Sequence, residues 1–149
     1  MTIYRERLWA SVWLFLATAL VIPASLLVFL PIDTRIGVVV AVVLYAGCVT
    51  VLLVASPVIQ VTDETFLAGR ARLPIRYVGE VTAFREPEAT AQRGPRLDAR
   101  AWLLIRGWIS PVVKLELTDP EDPTPYWVVS SRHPEKVVDA LQLAKRDRH

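Results

Sequence analysis

The stretch from Leu8 to Leu30 carries no charged side chain. At about 1.5 Å of rise per residue, a helix over it is longer than the roughly 30 Å of a bilayer's hydrocarbon core. A second uncharged run begins at Ile36 and lasts until Asp63, and its part from Gly37 to Ala55 reads as another helix. That second run is rich in β-branched valine, and an apolar run has no informative period. Its length and its apolar neighbour decide for a helix rather than buried strands. Between the two runs, Pro31-Ile32-Asp33-Thr34-Arg35 is too short to be more than a hairpin connection. The chain therefore divides into a two-helix transmembrane hairpin over residues 1–57, with spans at about 8–30 and 37–55, and a domain over residues 58–149.

A secretory signal peptide competes for the first run, with Arg5 and Arg7 as its basic flank. The run is longer than a signal's apolar region and a second run follows at once, which favours two uncleaved spans. Tyr4 and Trp9 suit the headgroup level. Pro23 removes one helix hydrogen bond and predicts a kink, and Ala24 and Ser25 are small enough to admit the second helix. Arg5 and Arg7 precede the first span, and Arg70, Arg72 and Arg76 follow the second, whereas the connection offers only Arg35 beside Asp33. The positive-inside rule then predicts a multi-pass cell-membrane protein with both termini cytoplasmic.

Beyond Ser56-Pro57 the period changes. Val58 to Thr62 and Phe66 to Ala71 read as a hairpin about Asp63-Glu64, Tyr77 to Phe84 as a third strand, and Arg85 to Arg96 as a polar loop. Ala101 to Ile105 reads as a fourth strand. In Val113-Lys114-Leu115-Glu116-Leu117 the alternation buries the apolar side chains on one face and exposes Lys114 and Glu116 on the other. Pro120, Pro123 and Pro125 predict a stiff connection to a last strand, Tyr126 to Ser130. The C-terminal helix has Pro134 at its first position, Glu135 in its first turn, and Lys145 and Arg146 in its last. Val137, Val138, Leu141 and Ala144 give it a narrow apolar stripe that needs a sheet to lie on. The fold class that follows is an α+β membrane protein. Its helical hairpin precedes an antiparallel split β-barrel of six or seven strands, with the amphipathic helix closing one end, which is the plan of a pleckstrin-homology-like (PH-like) domain.

Composition excludes several chemistries. Net charge is +2 with acidic and basic residues interleaved, so the sequence has no basic stripe for nucleic acid. Cys48 is the only cysteine and lies in the second apolar run, so neither a disulfide nor a cysteine-based zinc site forms within one chain. There is no phosphate-binding glycine loop, no paired-histidine metal spacing and no nucleophile elbow, and nothing implies a cofactor. His133 and His149 are the only histidines, at a helix start and at the chain end. Asp119, Glu121 and Asp122 have the composition of a calcium loop, but the surrounding prolines favour a stiff exposed turn. The set that merits attention is Asp98, Arg100, Arg106, Trp108, Tyr126, Trp127 and Arg132, together with Arg5 and Arg7 before the first span. Arginine and tryptophan near a membrane can hold an anionic lipid headgroup or dock a protein. Alternatively, the tryptophans fill the core and the arginines are solvated or paired with Asp98.

Two resemblances add to this reading. Val61-Thr62-Asp63-Glu64, Gly69-Arg70 and Leu73-Pro74-Ile75-Arg76-Tyr77-Val78 resemble the opening hairpin of bacterial membrane-flanked PH-like domains. Tyr4-Arg5-Glu6-Arg7, Leu97-Asp98-Ala99-Arg100-Ala101, Arg106-Gly107-Trp108, Leu117-Thr118-Asp119-Pro120, Asp122 to Trp127, and Ser130, Arg132 and Pro134 are similar to an uncharacterised family of two-span actinobacterial membrane proteins, DUF3093. The likeness covers nearly the whole chain and implies topology, but no activity. The expected function is a non-catalytic, membrane-tethered interaction or adaptor module whose partners are the bilayer, a membrane or cytoplasmic protein, and an anionic headgroup. The alternative is an enzyme or lipid-processing subunit with a headgroup-level site built from Asp98, Arg100 and Arg106.

Overall fold

Alternation of inward and outward residues begins earlier in the chain than the apolar runs suggest. In the computed structural model, which describes residues 1–147, Thr2–Arg7 is already a strand, β1. The helices α1 (Val12–Ala19), α2 (Val21–Phe29) and α3 (Thr34–Val54) follow it. Next come β2 (Val58–Thr62), β3 (Thr65–Ala68), β4 (Ala71–Pro74), a 3-10 turn at Ile75–Tyr77, and β5 (Val78–Phe84). The chain continues with α4 (Glu88–Arg93), β6 (Trp102–Leu104), β7 (Val112–Leu117), β8 (Tyr126–Ser130) and α5 (Pro134–Arg146).

The chain forms two compact units. One is Trp9–Ser56; the other combines Met1–Leu8 with the chain from Pro57 onward. The division read from sequence at residue 57 groups residues 1–8 with the helices, whereas their backbone hydrogen bonds are made in the β unit.

In the helical unit, Ser11 caps α1 by accepting from the Leu14 amide at 3.3 Å, and Asp33 caps α3 by accepting from Arg35 N at 2.8 Å. The first apolar run is helical from Val12 rather than Leu8, and it breaks at Leu20 into two helices. Pro23 explains the break, because it has no N–H to offer the Ala19 carbonyl and fits best in the first turn of a new helix. Helices α2 and α3 approach closely through small residues. Ser25 and Ala41 are buried, and a Cβ on Gly37 would lie 3.1 Å from the Phe29 Cβ. Ala24 takes no part, being exposed. Val12–Phe29 and Thr34–Val54 are each long and apolar enough to cross a membrane.

The β unit has two four-stranded sheets, in the orders β1-β2-β3-β4 and β5-β7-β8-β6. The first is an antiparallel meander into whose β1–β2 connection the helices are inserted. The segment read as one strand from Phe66 to Ala71 is two, because the chain reverses at Gly69-Arg70. Gly69 has φ +62°, a conformation that favours glycine. In the second sheet β6 runs parallel to β8, which corrects the all-antiparallel expectation. Two reversals, β6 to β7 and β7 to β8, return the chain in the direction of β6. The hydrogen-bonded ladders do not close into one barrel.

The core lies between these sheets and α5. Phe66, Ile59 and Val61 from the first sheet meet Val113, Leu115 and Trp127 from the second, and Val137, Leu141 and Ala144 cover them from α5. At roughly 1.5–3 kcal/mol per buried large apolar side chain, this cluster dominates the unit's stability. A smaller cluster of Ala89, Val112, Tyr126 and Val128 lies on the other face of the second sheet. It is closed by Ala89 of α4 and by Leu97 and Ala101, so the segment read as a polar loop from Arg85 to Arg96 contains a helix that helps to cover that face.

Candidate functional site

The residues singled out by sequence are distributed over several surroundings. Strand β8 is flanked by β7 and β6, so successive side chains point into one cluster or the other. Trp127 enters the main core, with its ring 4.2 Å from that of Trp102 and 6.2 Å from that of Phe66. Tyr126 enters the smaller cluster. Its hydroxyl accepts the Asp98 amide hydrogen at 2.6 Å and donates to the Arg96 carbonyl at 3.3 Å, fastening the covering loop. Lys114 Nζ lies 4.3 Å from the Tyr126 ring centroid, a cation–π contact.

Asp98 and Arg100 form a pair of their own. Arg100 Nη2 donates to Oδ2 at 3.0 Å and its backbone N to Oδ1 at 2.8 Å. The Arg100 guanidinium holds the Asp98 carboxyl below its usual range, with help from the Arg100 backbone N–H. A half-buried carboxylate kept ionised in this way is a poor proton donor at neutral pH. Arg106 donates its amide to Ser130 Oγ at 3.0 Å and its Nη1 to the Ile105 carbonyl at 2.9 Å. Trp108 is half-buried, its Nε1 donating to the Leu8 carbonyl at 3.3 Å. Arg5 and Arg7 are exposed on the outward face of β1.

Sequence reasoning passed over a polar hub at the β8–α5 elbow. Ser130 and Ser131 are both fully buried. The Glu6 carboxylate, directed inward from β1, accepts from the Ser131 hydroxyl, from Arg132 N at 2.8 Å and from the Tyr4 hydroxyl at 3.0 Å. Ser131 Oγ in turn accepts the His133 amide hydrogen at 3.1 Å. Burial, then the Glu6 charge and hydrogen bond, push the Tyr4 phenol well above its ordinary value; Ser131 pulls slightly the other way. The signal in the sequence was Tyr4-Arg5-Glu6-Arg7, where alternate residues differ in kind as a half-buried strand requires. Ser131 is sealed from solvent, and its hydrogen bonds fasten β1 to the β8–α5 elbow.

In the acidic turn, Asp119 Oδ1 accepts from Glu121 N at 3.0 Å and Asp122 Oδ1 from Thr124 N at 2.9 Å. Among the described residues no three metal-ligating side chains are grouped. His149 lies outside them.

A family described as protein of unknown function (DUF3093) matches this chain over residues 3–141. The chain belongs to that family. The matched region runs from within β1, through the inserted helices and both sheets, to Leu141 in α5. Family membership thus includes the strand before the helices as well as the β unit after them. Neither a curated protein nor a solved structure matches the chain.

Proposed function

We propose that this member of the DUF3093 family is a two-span membrane protein that displays a PH-like domain at the cytoplasmic face as a non-catalytic interaction or adaptor module. The observation that carries the reading is the pairing of β1 with β2. These strands lie before the first apolar helix and after the last, and they share one antiparallel ladder, Arg5 opposite Gln60 and Arg7 opposite Val58. Two hydrogen-bonded strands must be on the same side of a bilayer, so the chain between them crosses an even number of times. Two crossings, one by each apolar helix, meet that condition, and this supports the two-span reading. The arginines concentrated outside the helix connection support the cytoplasmic side. A four-stranded meander, a second sheet and a C-terminal helix packed on both support the PH-like plan. The interaction role is favoured by a surface that presents arginines and an Asp98–Arg100 pair around a closed core.

Topology labelling tests the reading. In a Cys48→Ala background, a membrane-impermeant maleimide applied to intact cells is expected to modify Thr34→Cys in the helix connection and to spare Glu121→Cys in the exposed acidic turn. Both positions are exposed, so access depends on the membrane alone. Labelling of Glu121→Cys with protection of Thr34→Cys would reverse the orientation, and labelling of both would remove the bilayer between them.

A further inference from the structure

The outward face of the first sheet carries an arginine array that spans sequence-distant segments. Cross-strand register sets one row as Arg5–Gln60–Leu67–Arg72. The neighbouring row begins with Arg7 opposite Val58, and Gly69 N donates to the Val58 carbonyl at 2.8 Å. Arg70 follows in the turn. Arg5, Arg7, Arg70 and Arg72 are all exposed. Among the described residues no carboxylate forms an ion pair with Arg5, Arg70 or Arg72. The acidic residues of these strands are directed elsewhere. Glu6 points inward to the elbow, and Asp63 and Glu64 occupy the β2–β3 turn at the opposite strand end, with Asp63 held by the Met1 amine. The remaining outward positions are neutral: Thr2, Val58, Gln60, Thr62, Thr65, Leu67 and Pro74.

The array lies at the strand end from which the chain leaves for the helices. Leu8 N donates to the Pro57 carbonyl at 2.9 Å, directly beyond the Arg7–Val58 pair. Only residues 8–11 separate β1 from α1, and only residues 55–57 separate α3 from β2. At about 3.5 Å per extended residue, either connection reaches no more than roughly 15 Å. If the helices occupy a bilayer, the arginine rows are held within reach of its headgroup layer.

We propose that Arg5, Arg7, Arg70 and Arg72 form a binding face for the phosphate-bearing headgroups of anionic phospholipids. The proposal rests on the membrane-spanning reading above and names the partner of the displayed domain. Guanidinium groups match phosphate oxygens bidentately. Such groups gathered on one face attract anionic lipid over zwitterionic lipid. Arg70 and Arg72 were read from sequence only as orientation signals, because their row partner Arg5 lies on the far side of both helices.

The test uses the full chain reconstituted in phosphatidylcholine vesicles containing trace spin-labelled phosphatidylglycerol or phosphatidylcholine. The measured quantity is the relative association of the two probes with the protein. The native chain is expected to prefer phosphatidylglycerol by about fivefold or more at low salt, the contribution of roughly one arginine or more at an anionic surface. The preference should fall to about one in Arg5→Gln/Arg70→Gln/Arg72→Gln. It should persist in the corresponding triple lysine variant and in Arg96→Gln/Lys136→Gln/Arg146→Gln, which removes equal charge from other exposed positions. An unchanged preference in the first variant, or an equal loss in the last, would overturn the proposal. So would displacement by millimolar inorganic phosphate at matched ionic strength, which would make the ligand a free phosphate. A chain extracted from the vesicles by alkaline carbonate would overturn the membrane reading along with it, whereas a retained chain without lipid preference would overturn this proposal alone.

Discussion

Glu6 is the residue on which the β1 strand depends. It is the half-buried carboxylate of a strand that otherwise contributes an edge, and it joins that edge to the β8–α5 elbow through Ser131 and Arg132. Hydrogen bonds to a charged acceptor contribute about 1.5–3 kcal/mol each when removal leaves donors unpaired. Glu6→Gln keeps one acceptor oxygen and is expected to destabilise the unit by about 1–3 kcal/mol in denaturant unfolding. It should also lower the pKa of the Tyr4 phenol towards its ordinary value, which ultraviolet absorbance of phenolate will show as an earlier rise with pH. Because the folded-state pKa of Tyr4 is raised, the neutral phenol's contribution to stability is complete below pH about 10 and is lost as pH rises further. An unchanged tyrosine titration in the variant would mean that Glu6 does not face Tyr4. This hub was hard to read from sequence because Glu6 and Ser131 are remote in the chain and neither is unusual alone. The Asp98–Arg100 pair was easier, since its partners are two residues apart.

At the scale of elements, local alternation was the reliable signal and nonlocal pairing the hidden one. Strand β7 follows its sequence pattern in part: Val113 and Leu115 are fully buried and Glu116 is exposed, whereas Lys114, expected outside, is half-buried over the Tyr126 ring and Leu117 is only half-buried. Leu115→Asp would place an uncompensated charge opposite Val81 and Trp127, costing several kcal/mol, enough to unfold a domain of this size. Lys114→Asp gives up the contact with the Tyr126 ring and should cost about 1 kcal/mol or less. Circular dichroism melts of the two variants check the contrast, and similar melting would mean that the register is wrong. Helix α5 was legible for the same local reason, with Pro134, Glu135 and the apolar stripe in one short segment. The β3–β4 reversal was missed because Gly69 sits in a run that otherwise alternates without interruption. The parallel β6 was missed because direction follows from two later reversals, and a three-residue strand carries no direction of its own.

For the whole molecule, the apolar runs made the helices plain and concealed the strand in front of them. Thr2–Arg7 has the basic and aromatic residues of a membrane flank, and that reading fits its composition. Its partner β2 lies beyond the helical unit, so no local pattern marks the pairing. Its consequence is the largest in the structure. One sheet supplies both ends of the inserted helices and sets arginines from both sides of the insertion in one row, and on the membrane-spanning reading proposed above it requires an even number of crossings. The most direct test is a crosslink across β1 and β2 in native membranes. In the Cys48→Ala background, Arg5→Cys/Gln60→Cys is treated with a homobifunctional alkanethiosulfonate, whose two ends each form a disulfide with a cysteine and release sulfinate, of a length of about one strand spacing, roughly 5 Å, and the joined peptides are read by mass. The account predicts efficient crosslinking of residues 5 and 60 and none between Arg5→Cys and Thr34→Cys in the helix connection. Absence of the 5–60 crosslink, with both cysteines free to react singly, would contradict it.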